Sequence, residues 1–468
     1  MHSGIARGRH RAWRNAQGDI VNRQVMIAVL LGCFCLLLPG VIAAKDLAAG
    51  VAMVELRPPV GLPMAGYRDR QGLSRGVLDP LHARVLVVEG KNSTVALVTL
   101  DLLFVFPEPQ LEVIRDRVKP LGVADAIFSA SHTHSGPNLF DRASPDEAQS
   151  KMLGEVVAGI EHAWRSRVPV RVGAASGAVR IGHNRLYKMS AGEGKMIWSN
   201  ETRFPTSPVD PTVLVLRIDR LDGSPLAILA NYACHGVVLG PENLDYSADY
   251  PGEMMRIVES SVPGNPICLF VQGGAGDIDP YYTRTSPAQN GVALMRETGA
   301  TLAKEVLRVF RNIETKSISD SEIFITRQML EFKSRWDKEK MLARLGGTPL
   351  SQDLKARVER GLKPSYRLPL TVMLVKGAFA FVGIPAEIFV DFQIDLRERV
   401  KDLPIVFGGY TNGALGYIPT IEAAVNGGYG TNPISTHLEL GAGDRLVDKA
   451  VIQLGYWTGK LKNGPSRQ

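Results

Sequence analysis

The chain has 468 residues, 45% hydrophobic and 22% charged, with a formal net charge of +7. That apolar fraction excludes bulk disorder, and 47 Gly with 29 Pro point to many turns rather than a collagen-like or low-complexity class. Four cysteines are too few for a disulfide scaffold, and most of the net charge lies in the first 44 residues, so nothing in the remainder forms a nucleic-acid footprint.

Arg7, Arg9, Arg11, Arg14 and Arg23 precede one apolar run, Val25–Ala44, which ends in the small residues Ile42-Ala43-Ala44. This order predicts a secretory signal over residues 1–44 and an exported (periplasmic or secreted) mature chain over 45–468. A run of about 20 apolar residues also suffices to span a bilayer, so anchoring through residues 25–44 stays open. The run continues well past Cys33, which argues against lipidation there. Cys234 and Cys268 remain after cleavage, and both lie in apolar strand-like runs, where buried thiols are expected rather than a bridge.

In chain order, Arg84–Glu89 and Thr94–Asp101 read as a hairpin, Pro107–Val118 as a helix, and Ala126–Ser131 as a strand running into His132-Thr133-His134-Ser135-Gly136-Pro137. A helix over Asp146–Arg165 and a strand over Pro169–Ala175 follow. Val213–Asp219 and Leu226–Ala233 flank Asp222-Gly223 as a second hairpin, whose second strand ends at His235. Tyr250-Pro251 opens a helix, since proline is tolerated in a first turn. Ile267–Gln272 is a buried strand before Gly273-Gly274-Ala275-Gly276-Asp277, whose glycines are expected to supply positive φ. A helix over Pro287–Phe310, a strand over Ser321–Phe332 and a charged helical insertion over Asp337–Gly361 come next. Leu370–Val375 and Ala378–Val382 form a third hairpin, ending in Gly383-Ile384-Pro385-Ala386-Glu387. Pro404–Phe407, a Gly/Tyr/Asn-rich loop to Pro433 and a helix over Asp444–Leu461 close the chain. The pattern predicts one large α/β domain with mixed β-sheets flanked by helices and the active site in loops at strand ends.

Residues two apart on an extended backbone point to one side, so His132 and His134 can share a site. Neutral imidazole is the commonest metal ligand and also a general acid/base. A hydrogen-bonded pair of histidines fits the same spacing. His235 after its strand, and Glu387 soon after Val382, repeat the placement; a structural histidine and a solvated loop carboxylate are the alternatives. A buried carboxylate needs a partner or a metal, and the recurrence at strand ends favours a common site.

Taken in order, these motifs resemble the neutral, non-lysosomal ceramidases, zinc amidases that cleave the N-acyl bond of ceramide. The similarity spans about Gly50–Leu461 and rests on Gly66-Tyr67, Leu81-His82-Ala83-Arg84, His132 to Pro137, Asn184-Arg185, Cys234-His235-Gly236, Ser247-Ala248-Asp249, Gly383 to Glu387, and the pair Tyr417 and Tyr429. The resemblance implies Zn²⁺ as cofactor, held by His132, His235, Glu387 and Tyr417, with the cation favouring the tyrosine's phenolate form. It implies His134 beside the metal as acid/base or donor to the developing oxyanion, and Tyr429 and Arg185 as stabilisers of charge in the tetrahedral intermediate. It further implies a lipid or other small-molecule substrate; membrane-surface association stays open, and no protein partner is predicted.

Two departures stand out. The family's active-site serine lies in a G-D-V-S-P-N stretch, and the matching run here is Gly276-Asp277-Ile278-Asp279-Pro280. With Asp279 at the serine position, three readings stay open. Water activated by the metal attacks directly, with Asp279 orienting it or taking its proton; the site runs another zinc-dependent reaction; or the chain is a catalytically inactive lipid- or glycan-binding relative. A turn-forming Asp-Pro step is the plainer account of Asp279. The second departure is length: larger family members carry a further β-sandwich, and 39 residues follow Tyr429, so only the catalytic domain is expected.

Overall fold

Several predicted strands are apolar at nearly every position, which requires cover on both faces. The computed structural model describes residues 46–139, 146–188, 194–344, 355, 358–359, 362–433 and 435–462. The apolar run Val25–Ala44 lies outside the described residues.

In the larger sheet, β1 (Ala48–Leu56) pairs antiparallel with β2 (Leu81–Glu89), β2 pairs antiparallel with β3 (Thr94–Leu100), and β3 runs parallel to β4 (Val123–Ala130). On the other side of β1 come β5 (Val168–Ala178), β6 (Thr212–Arg220) and β7 (Pro225–Tyr232), each antiparallel to its neighbour, then β8 (Ile267–Gln272), parallel to β7. The strand order is β8-β7-β6-β5-β1-β2-β3-β4, with Lys316–Ser317 added on β5. A second sheet has the order β9 (Ile323–Lys333), β10 (Ser365–Val375), β11 (Phe379–Gly383), β12 (Ile405–Gly408). The helices are α1 (Glu108–Val118), α2 (Glu147–Arg165), α3 (Asp249–Ser261), α4 (Gly291–Arg311), α5 (Lys338–Arg344), α6 (Val390–Arg399), α7 (Ile421–Asn426) and α8 (Ala442–Trp457).

The period of two along each strand sorts the core into layers. On β2, Ala83, Val85 and Val87 join one core with Val156 and Ile160 of α2, whereas Leu86 and Val88 join another with Phe379 and Phe381 of β11. On β8, Cys268 and Phe270 share a core with Met254 of α3 and Leu302 of α4, and Leu269 and Val271 belong to the core between the sheets. Val372, Leu374, Ala380 and Val382 of the second sheet turn outward to Leu396 of α6 and Leu446 and Leu454 of α8. The result is four layers, helix, sheet, sheet and helix.

Some expectations change. β1, central in the larger sheet, was not anticipated; its opening residues Ala48-Ala49-Gly50 carry little β-propensity. The expected helix over Pro287–Phe310 is divided: a 3-10 turn over Pro287–Gln289 ends at left-handed Asn290 (φ 63°), and α4 starts at Gly291. β7 stops at Tyr232, and His235 lies on the loop beyond it. Of the Asp337–Gly361 insertion, α5 is helical, and most of the remainder falls outside the described residues. Cys234 and Cys268 are buried and unbridged, as expected.

Candidate metal centre

The His132 loop leaves β4 with His132 itself in the left-handed region (φ 62°), sparsely populated by non-glycine residues. Its backbone N–H donates to the Leu102 carbonyl at 3.0 Å, and the next residue, Thr133, bridges Gly236 on the loop beyond β7. Two loops from strands far apart in the sheet order are thereby held together. His134 packs against Tyr67, ring centroids 4.8 Å apart. Gly66 makes room for it: φ is 102°, and a Cβ there would lie 2.4 Å from the His134 ring.

His235 Nδ1 faces the Ile278 carbonyl at 3.1 Å, and His132 Nδ1 faces the Leu103 carbonyl at 2.7 Å. A carbonyl can only accept, so each Nδ1 carries a proton, and in the neutral ring each Nε2 then presents a lone pair. Glu387 Oε2 lies close to both rings, 3.3 Å from His132 Nε2 and 3.2 Å from His235 Nε2. His134 Nε2 lies 3.4 Å from His132 Nε2. Burial lowers the pKa of His132, and burial followed by the charges of His132 and His235 lowers that of His134 well below the ordinary imidazole value. Burial opposes ionisation of Glu387, but its contacts with His132 and His235 outweigh this and hold the carboxyl well below its usual range. Neutral imidazoles around a carboxylate place acceptors against acceptors, an arrangement that a cation between them relieves. Two ligands of a tetrahedral zinc ion, bound at about 2.0–2.1 Å, lie about 3.3 Å apart. The donor set and its spacing therefore fit the ion.

Glu387 reaches this point because Glu387-Ile388 pairs in parallel with Tyr417-Ile418. The stretch Gly273–Gly276 lies alongside. None of its glycines has positive φ, contrary to expectation; Gly276 is needed for close approach, since a Cβ there would lie 2.4 Å from the Glu387 carbonyl oxygen.

Tyr417 Oη accepts from Arg185 Nη2 at 3.1 Å. Burial and then Glu387 push this phenol well above its ordinary pKa, with Arg185 acting the other way, so these protein groups alone keep it protonated. Arg185 also donates to Asp279 Oδ1 at 3.0 Å and to the Gly276 carbonyl at 2.8 Å. Asp279 is 1% exposed; its Oδ1 is 3.6 Å from His235 Nδ1, and its Oδ2 is buried with no partner among the described residues. Tyr429 stands at the mouth, 39% exposed, its ring 5.3 Å from Tyr417 and 5.4 Å from Trp198. All eight residues singled out from the sequence thus meet in one neighbourhood, around a cavity of about 690 Å³ lined by His134, Arg185, Asp279, Tyr417 and Tyr429. The structure also groups His134 with His132 and His235, their ring nitrogens within 4.8 Å of one another, although the resemblance gave it a different role. Tyr67 carried a motif of the resemblance but was given no role, and Trp198 and Tyr410 were missed. Tyr410 lies inside the Gly/Tyr/Asn-rich loop, and its packing on His132 leaves no spacing signature.

Fold and cluster together define a layered α/β chain with a buried histidine–carboxylate site at strand ends. The family model for neutral/alkaline non-lysosomal ceramidase, N-terminal, matches residues 50–293. The chain belongs to that family. It is 24% identical to neutral ceramidase A of Dictyostelium discoideum over 255 residues, which is 49% of this chain and 35% of that protein. Neutral ceramidase B of the same organism gives 24% over 254 residues, 49% of this chain and 34% of that protein. The chain thus spans about a third of the length of these curated relatives. Among solved structures, neutral ceramidase from Pseudomonas aeruginosa superposes with a TM-score of 0.69 at 20% identity, over 90% of this chain and 76% of that one. A ceramidase complexed with C2 gives 0.68 at 18% identity, over 90% and 77%.

Proposed function

We propose that this chain is an exported zinc-dependent hydrolase that cleaves an N-acyl amide, in a ceramide-like lipid or a related carbonyl compound. The observation that carries the reading is that His132 Nε2 and His235 Nε2 both lie within 3.3 Å of Glu387 Oε2. His132, His235, Glu387 and Tyr417 would hold a zinc ion, which would supply Lewis-acid polarisation and lower the pKa of water to about 7. The chain's own groups do the rest. Arg185 and Tyr429 face the cavity where negative charge develops on the carbonyl oxygen. Asp279 Oδ1 is engaged by Arg185, which leaves Oδ2 to take a proton from the attacking water and pass it to the leaving nitrogen as the C–N bond breaks. The products are a carboxylate and an amine. Trp198 and Tyr429 at the mouth offer aromatic surface to an acyl chain.

Assay of the purified protein against a panel of acyl amides, N-acyl-sphingosine included, tests this. Turnover abolished by Glu387→Ala supports it; no turnover on any member, with zinc bound, favours the binding-only relative. That second reading is motivated by Asp279 at the family's serine position, and Asp279→Ser separates the two by restoring the hydroxyl. Export rests on Val25–Ala44, and a mature N-terminus near Lys45 is its test. Among the described residues no helix is long and apolar enough to cross a membrane.

A further inference from the structure

The segment after β12 ties together the elements that carry the candidate ligands. Gly409 N–H donates to the Gln272 carbonyl at the end of β8, Thr411 N–H to Ile384 beyond β11, and Asn412 N–H to Phe128 of β4. Tyr410 is at the centre. Its N–H donates to Ala386, the residue before Glu387, at 3.2 Å, and its carbonyl accepts from Ala130, two residues before His132, at 3.2 Å. Its ring stacks on the His132 imidazole, centroids 4.0 Å apart and planes 29° apart. Phe104 also contacts that imidazole, at 5.2 Å. Tyr410 (φ 53°) and His132 (φ 62°) are both left-handed, a conformation that bulky residues keep only where the surroundings over-determine it.

We propose that Tyr410 is a positioning residue. Its flat ring sets the plane of the His132 imidazole while its backbone ties the His132 loop to the Glu387 loop, so that Nε2 and Oε2 meet at the spacing a metal needs. This rests on His132 and Glu387 being ligands. Tyr410 is fully buried and its hydroxyl has no partner among the described residues, so the ring and not the oxygen does the positioning.

The test is metal affinity rather than turnover. Apo protein is titrated with Zn²⁺ against a chromophoric chelator, and the visible bands of the Co²⁺ form are recorded. Tyr410→Phe should bind within about threefold of wild type with unchanged Co²⁺ bands. Tyr410→Leu, which keeps apolar bulk without a flat ring, should bind about 10-fold more weakly or worse, with shifted bands; Tyr410→Met replaces it if the leucine variant does not fold. Wild-type affinity in the non-aromatic variant, or equal weakening by phenylalanine, would overturn the inference. A wild-type chain that binds no metal would instead overturn the ligand reading, a result distinguishable from either.

Discussion

The guanidinium of Arg185 donates to Asp279 Oδ1 at 3.0 Å with both side chains almost wholly out of water. A pair so placed is costly to split, because either partner left alone is a buried, uncompensated charge. Arg185→Met should therefore lower unfolding free energy by about 3–5 kcal/mol in denaturant titrations. Asp279→Asn keeps the shape and removes the proton acceptor. It should lower kcat by about 10²–10⁴ with KM little changed. Equal kcat in the two proteins would remove Asp279 from the chemistry.

Away from the site, Arg84 bonds Asp101 at 3.0 Å and Glu259 at 3.2 Å, joining β2, the end of β3 and α3. Arg84 and Asp101 are buried, so Arg84→Met leaves a carboxylate with lost compensation. Chemical denaturation should report a loss of about 3–5 kcal/mol, with no effect on metal stoichiometry.

Asp79 accepts from Ser247 Oγ and from the Ala248 N–H at the start of α3. Burial still outweighs these bonds and raises its pKa to about 6. The unfolded value is about 3.9, so the folded state binds the extra proton between about pH 4 and 6. Stability from this group is present below pH 4 and is lost as pH rises through 6. Asp79→Asn should remove that slope, and the stability difference between variant and wild type should change by about 3 kcal/mol across the window. Parallel stability curves for the two proteins would contradict the assignment.

Gly66→Ala would bring a Cβ to 2.4 Å from the His134 ring at a φ of 102°. Neither the backbone nor the ring can give way cheaply. Activity should fall at least about 10-fold, as expected when a positioned group shifts by about 1 Å, while far-ultraviolet circular dichroism stays unchanged.

Much of this was legible because strand ends punctuate sequence clearly. The apolar runs before His132 and Glu387 announce β4 and β11, and the ordered motifs announce which loops share a site. β1 was hidden by Ala48-Ala49-Gly50, where packing rather than propensity makes the strand. The close approach of Gly276 to Glu387 and the stacking of Tyr410 on His132 are relations between residues more than 100 positions apart in sequence. Local spacing carries no trace of them, and only the tertiary fold reveals them. The same holds for the unpartnered Asp279 Oδ2, since an Asp-Pro step reads as a turn until its burial is seen.

The central claim is that His132, His235 and Glu387 surround a cation, and elemental analysis of the purified chain tests it most directly. The account predicts one zinc per wild-type chain, falling to near zero in His235→Ala and Glu387→Ala variants that remain folded. Metal-free wild-type protein after purification in the presence of zinc, or full zinc retention in both variants, would contradict it.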